Sequence, residues 1–179
     1  MTQVWYHWHR VWIYVVMLLP VAAGLMALLA RLRPSRSWRL SIAEVGMVLG
    51  TLPWVWMILT PMQLPPGSRT LYLVPFSDLR MEASLGKPMW MFVQIVGNLL
   101  VLFAFGVFAP IRFPSLTLSR LALIGGAISL TLEVVQHFFV RGRVFSVDDV
   151  WLNALGCVLG GLASRPLARL TRWRATTSA

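Results

Sequence analysis

Charge is scarce in this chain. Of its 179 residues 12% are charged and only six are acidic, while 58% are hydrophobic and the mean hydropathy is +0.71. A soluble globular domain carries roughly 25% charged residues, so the composition excludes that class. Cysteine is all but missing. Cys157 stands alone, which rules out a disulfide or a cysteine-rich metal site within one chain. No serine sits in a nucleophile elbow; Ser146, close to Asp148 and Asp149, reads as a loop or capping residue. Internal repeats and low-complexity segments are also absent from the sequence.

What the chain has instead is long apolar runs. Five are apparent, at 11–30, 42–60, 89–109, 121–140 and 150–163, the last continuing towards 170. Each approaches or exceeds the roughly 17–25 residues that cross a hydrocarbon core. The first is too long for a signal-peptide core. The expectation is an all-α integral membrane protein, a single domain over 1–179 built as a bundle of about five transmembrane helices. Pro53 and Pro61 make the second run the one most prone to kink. The longest connection, 61–89, is rich in Pro and Gly and reads as a partly ordered loop.

The net charge of +10 invites a nucleic-acid reading, but its distribution argues for a membrane. Arg31, Arg33, Arg36, Arg39, Arg112, Arg120 and a C-terminal cluster alternate along the chain with a poorer set: Arg10, Arg69, Arg80, Lys87, Arg141 and Arg143. Five spans put the two sets on opposite faces. The positive-inside rule then places the N-terminus outside and the C-terminus in the cytoplasm. Membrane lipids are the expected partners of the basic clusters, and no nucleic acid is expected. On this topology Asp78, Glu82, Glu133, Asp148 and Asp149 lie at the outer face, and Glu44 lies near the cytoplasmic start of the second run.

The densest polar pattern occupies 132–161. Glu133, Gln136 and His137 are spaced three and four apart and share one helix face. Asp149, Asn153, Gly156 and Gly160 define one face of the next helix, where the two glycines let a neighbour approach closely. An ionisable group in hydrocarbon is expensive, so each needs a partner or a use. Arg143 is the expected partner of Glu133, in a bidentate pair, and Asp149 takes Arg141 or shares Arg143. Asn98, mid-way along the third run, is expected to point inward. Pro75, Phe76 and Arg80 are placed for 61–89 to fold over the site as a lid. The candidate ligand-binding set is therefore Glu133, Gln136, Arg143, Asp149, Asn153, Asn98 and Arg80. Arg141 and Arg143 argue against a divalent cation among Asp148, Asp149 and Glu133, so neither metal nor cofactor is expected.

Glu133-x2-Gln136-x6-Arg143-x5-Asp149-x3-Asn153-x2-Gly156-x3-Gly160 resembles the C-terminal signature of VanZ-like membrane proteins. Upstream, Leu71-Tyr-Leu-Val-Pro75-Phe76, Gly97-Asn98-Leu-Leu and Phe103-Ala-Phe-Gly106 resemble that family's first half, over about 71–162 in all. The chain departs from the family pattern at Tyr72, Ala104 and Ser146. The resemblance implies a membrane protein of the bacterial envelope, and the family's founding member is associated with low-level teicoplanin resistance. Three readings stay open. The polar set could bind an envelope lipid or lipid-linked precursor, with arginine on phosphate. It could belong to an enzyme acting on such a lipid. Or it could be a staple between two helices of a protein that works through partners.

Overall fold

The computed structural model describes residues 2–33, 38–61, 71–86, 88–140 and 142–176. Helices dominate it. α1 (Thr2–Leu32) is apolar on all sides from Val11 to Ala30 and touches α2 (Trp38–Leu49) and α3 (Leu52–Ile58), leaving Val16, Met17 and Leu19 exposed. A helix apolar all round belongs in a core or a bilayer. β1 (Leu71–Tyr72) and α4 (Ser77–Ser84) follow, then α5 (Pro88–Val101), α6 (Phe103–Arg112), α7 (Leu118–Phe139), β2 (Phe145–Ser146) and α8 (Val147–Thr176). Four stretches of the described chain are long and apolar enough to cross a membrane: Val11–Leu32, Trp38–Ile58, Pro88–Arg112 and Leu118–Phe139. These are the first four of the expected runs. The fifth run is helical too, within α8, but that helix opens on Asp148 and Asp149 and carries Asn153 and Arg165, which lower its hydropathy.

Two of the spans are broken. The second divides at Gly50–Thr51, and Pro53 falls in the first turn of α3. A proline ring there cannot share space with the preceding turn, so one helix ends and another begins. The third divides at Leu102, whose φ of −111° and ψ of 7° leave helical geometry. No proline or glycine at Leu102 announces that break.

α8 is the axis of the bundle, packed against α5, α6 and α7. From Asn153 to Pro166 its buried residues are Asn153, Gly156, Cys157, Gly160, Gly161 and Ser164, all small or modest in size. α7 answers with Leu121, Gly125, Ser129, Glu133 and Gln136, buried at spacings of four, four, four and three along one face. Thr117 caps the start of α7, its Oγ1 accepting the Arg120 N–H at 3.3 Å. At one end of the bundle Glu44 accepts from Arg112 Nε at 2.7 Å and from Arg33 Nη1 at 3.2 Å. That gathers the end of α1, the middle of α2 and the end of α6.

The opposite end is built from connections. β1 pairs in parallel with β2, Leu71 opposite Phe145 and Tyr72 opposite Ser146. The segment expected as a partly ordered loop thus carries a strand and a helix, while 62–70 lie outside the described residues. Asp148 fastens α4 to α8. Its Oδ1 accepts the Phe76 N–H at 2.6 Å and its Oδ2 the Leu79 N–H at 3.2 Å.

Candidate functional site

Two polar steps along α5 begin the site. Gln94 and Asn98 stand four apart, so both point from the same face of an otherwise apolar helix. Asn98 Nδ2 donates to Asp149 Oδ1 in the first turn of α8. Gln94 Nε2 donates to Asp78 Oδ2 at 2.8 Å and, more weakly, to Asp149 Oδ1 at 3.4 Å. One amide thereby links α4, α5 and α8. Asp78 opens α4, where the helix dipole favours a carboxylate, and Glu82 follows one turn later on the same face. Burial, and then the neighbouring Asp78 charge, push the Glu82 carboxyl above its usual range.

Glu133 and Gln136 form the other side. Glu133 is 2% exposed, and its Oε2 accepts the Ser146 N–H at 3.2 Å. Gln136 Nε2 donates to the Ile58 carbonyl at 2.9 Å. The expected bidentate pair between Glu133 and Arg143 does not form. Arg143 gives Nη2 to the Met57 carbonyl at 2.7 Å and Nε to the Thr60 carbonyl at 3.2 Å. The end of the second span explains this. α3 stops at Ile58, and the residue four beyond Met57 is Pro61, which has no N–H, so the Met57 carbonyl lacks that helical partner and takes the Thr60 N–H at 3.2 Å. Arg143 satisfies them while its charge still acts on Glu133 and Asp149 through space. Burial lowers the guanidinium from its usual value, and the two carboxylates oppose that shift. Arg141, the other expected partner of Asp149, lies outside the described residues.

Together these groups line a cavity of about 880 Å³. Asp78, Glu82, Glu133 and Asp149 bring four carboxylates to it, with Asn98 and Gln136 beside them. Apolar walls come from Val11, Tyr14, Trp56, Met57, Trp90 and Val93. Arg143 is the one basic residue among the described lining. Of the expected set, Glu133, Gln136, Arg143, Asp149 and Asn98 meet here. Asn153 sits deeper, donating to Ser129 Oγ at 2.8 Å between α7 and α8, and Arg80 is exposed on α4 away from the lining. The lid residues differ from those expected: Asp78, Met81, Glu82 and Leu85 of the α4 region face the cavity. Ser146 is 1% exposed, and its hydroxyl accepts the Asp148 N–H at 3.2 Å, a capping role. Among the described residues no group of three or more His, Cys, Asp or Glu is placed to hold a metal ion.

Asp78, Glu82 and Gln94 were outside the candidate set drawn from the sequence. The signal was present in the spacing of four between Asp78 and Glu82 and between Gln94 and Asn98. What the sequence did not offer was the fold-back of α4, which depends on Asp148.

Residues 47–169 match the family model VanZ/LLP1. The chain belongs to the VanZ/LLP1 family. The match reaches beyond the 71–162 of the sequence resemblance to take in α3, most of α8 and the last turn of α2. With its apolar helices, VanZ/LLP1 membership makes this a membrane protein. No curated protein and no solved structure matches the chain.

The role of Arg143 in this VanZ/LLP1 chain is directly testable. Arg143→Lys replaces a planar fork spanning two carbonyls by a single point donor. We expect a loss of about 1–3 kcal/mol and faster amide exchange over 57–61. An unchanged thermal midpoint and unchanged exchange would show that the carbonyl contacts are dispensable.

Proposed function

We propose that this protein is a multi-pass protein of the bacterial inner membrane that recognises an envelope lipid or lipid-linked precursor. Its N-terminus is outside, its C-terminus cytoplasmic, and five spans carry the chain across. The basic residues Arg33 and Arg112, gathered on Glu44 at the far end of the bundle from the cavity, support that orientation. The observation that carries the lipid reading is the cavity itself. At about 880 Å³ it is large enough for a headgroup with the first part of its chains. It joins a polar lining to apolar walls supplied by α1, α3 and α5. Ionisable groups at such a place are expensive to keep unless they serve a ligand or a pathway. Any link to teicoplanin resistance would run through the lipid or precursor bound there.

A staple role is favoured for part of the set by the hydrogen bonds of Gln136, Arg143, Asp148 and Asn153, which join one element to another. That reading leaves Glu82 unexplained, since its buried Oε2 has no hydrogen-bond partner, and no observation favours an enzyme over a binding site.

Gly97 offers a test that removes no polar group. It lines the cavity, and a Cβ added there meets only the Met57 Cε, at 3.9 Å. Gly97→Phe should fill the cavity and keep the fold. Native mass spectrometry of protein purified with its own lipids should find a defined lipid on the wild type and none on Gly97→Phe. An identical lipid profile on both, with equal thermal midpoints, would sink the lipid-site reading.

A further inference from the structure

We infer that the cavity selects its ligand through a primary ammonium group, held by acceptors that include Asp78, Glu82 and Asp149. This rests on the lipid reading above and names the headgroup chemistry. The lining is rich in acidic side chains and has Arg143 as its one basic residue among those described. Four acidic side chains face the cavity, and the amide and guanidinium donors beside them each already serve an acceptor. Gln94 Nε2 serves Asp78 and Asp149, Asn98 Nδ2 serves Asp149, and Arg143 Nε and Nη2 serve backbone carbonyls.

A second observation, independent of the acids, points the same way. Gln136 is 4% exposed and lines the cavity, its Nε2 is bound to Ile58, and its Oε1 has no hydrogen-bond partner. Glu82 Oε2 is also buried without a partner. Buried acceptors left unmatched are uncommon and call for a donor.

The ligand classes can then be ranked by what they bring. A phosphate or carboxylate adds acceptors and negative charge to a lining that already has both in excess. A sugar hydroxyl supplies a donor but no charge to offset the acids. An ammonium group supplies three donors, no acceptor and one positive charge. It is the one that answers both deficits. Arg143 has turned Nε and Nη2 to the backbone, so the expected arginine–phosphate contact would run through Nη1 alone. The apolar walls suit a lipid that carries the amine, although a water-soluble amine presents the same group.

The test loads wild-type protein in detergent with equimolar phosphatidylethanolamine, N-acetyl-phosphatidylethanolamine, phosphatidylcholine and phosphatidylglycerol, and reads retention by native mass spectrometry. Ethanolamine alone is titrated in parallel by thermal shift. We expect the ethanolamine lipid to be retained about tenfold or more over the other three, a ratio appropriate to a lost charged hydrogen bond. Asp78→Asn with Glu82→Gln should abolish that preference, while Ser84→Ala on the exposed side of α4 keeps it. Because α4 is short and peripheral, amide exchange over 77–85 is read to show that the double variant keeps its structure. Retention of a defined lipid without regard to its amine, or equal retention of the choline lipid, would overturn the ammonium assignment and leave the lipid reading standing. A shift with ethanolamine but no retained lipid would uphold the ammonium site and overturn the lipid reading. No response to any probe would overturn both.

Discussion

Gly156→Ala is expected to cost about 3 kcal/mol or more, and Gly156→Leu to yield no folded, monodisperse protein. The reason is contact between backbones. A Cβ at Gly156 would lie 2.0 Å from the Leu99 carbonyl oxygen and 2.7 Å from its carbon. At Gly160 it would lie 2.2 Å from the Phe103 carbonyl oxygen. Neither obstacle is a side chain that can swing away. From the other side, a Cβ at Gly106 would meet the Cys157 carbonyl oxygen at 2.0 Å. The axial helix α8 and the α5–α6 pair therefore meet main chain to main chain, around the break at Leu102. Small-residue contacts of this kind replace the hydrophobic drive that helices lack in lipid. Gly126→Ala makes the control, since its nearest neighbour would be Ala154 Cβ at 4.0 Å. It should be neutral or slightly stabilising, because alanine is the better helix former by about 1 kcal/mol. Thermal unfolding in detergent, with size-exclusion profiles, decides the matter. A Gly156→Ala protein that melts with the wild type would mean that α8 does not pack this closely.

The glycine stripe was readable in advance because it depends on local spacing alone. Gly156 and Gly160 at four residues, following Asp149 and Asn153, specify a face whatever lies opposite. The apolar runs were readable for the same reason, and the break in the second span was signalled by Pro53. The break at Leu102 was not, since no residue there carries a backbone preference that would announce it. Arg143 shows the deeper limit. Its pairing with Glu133 was a sound electrostatic expectation from residue types alone. It failed because the nearest acceptors were main-chain carbonyls at the C-terminal end of α3, Met57 and Thr60, more than eighty positions earlier. The two-residue β1–β2 pairing is likewise long-range and too short to leave a periodic signature. Asp78, Glu82 and Gln94 entered the site through that same architecture. Their spacing was visible, but their destination depended on where α4 is anchored.

That anchor gives the second large effect: Asp148→Ala should cost about 3–5 kcal/mol and detach α4 from the bundle. Asp148 is 1% exposed, and its carboxylate accepts from the Phe76 N–H, the Leu79 N–H and the Trp151 indole, the last at 3.2 Å. Phe76 has φ of 64°, a left-handed conformation that costs a residue with a Cβ roughly 1–2 kcal/mol. The carboxylate holds it there, and the Phe76 ring stands edge-on to Trp151 at 5.4 Å between centroids. Remove the carboxylate and three half-buried donors lose their acceptor, while nothing offsets the strain at Phe76. Asp148→Asn should fall between wild type and alanine, because one amide oxygen can replace only one side of the double cap and its NH2 faces an N–H. Amide exchange should rise over 76–85 in both variants and stay low in α5 and α7. Since α4 supplies Asp78 and Glu82, both variants should also lose whatever headgroup preference those acids confer. If Asp148→Asn keeps the wild-type midpoint and the wild-type protection of 76–79, Asp148 is not what fixes α4. The acids would then need another reason for facing the cavity. If protection is lost while Glu133 and Gln136 stay in place, the site is a stable floor in α7 closed by an acidic cover. That cover is tethered through one carboxylate in the first turn of the axial helix.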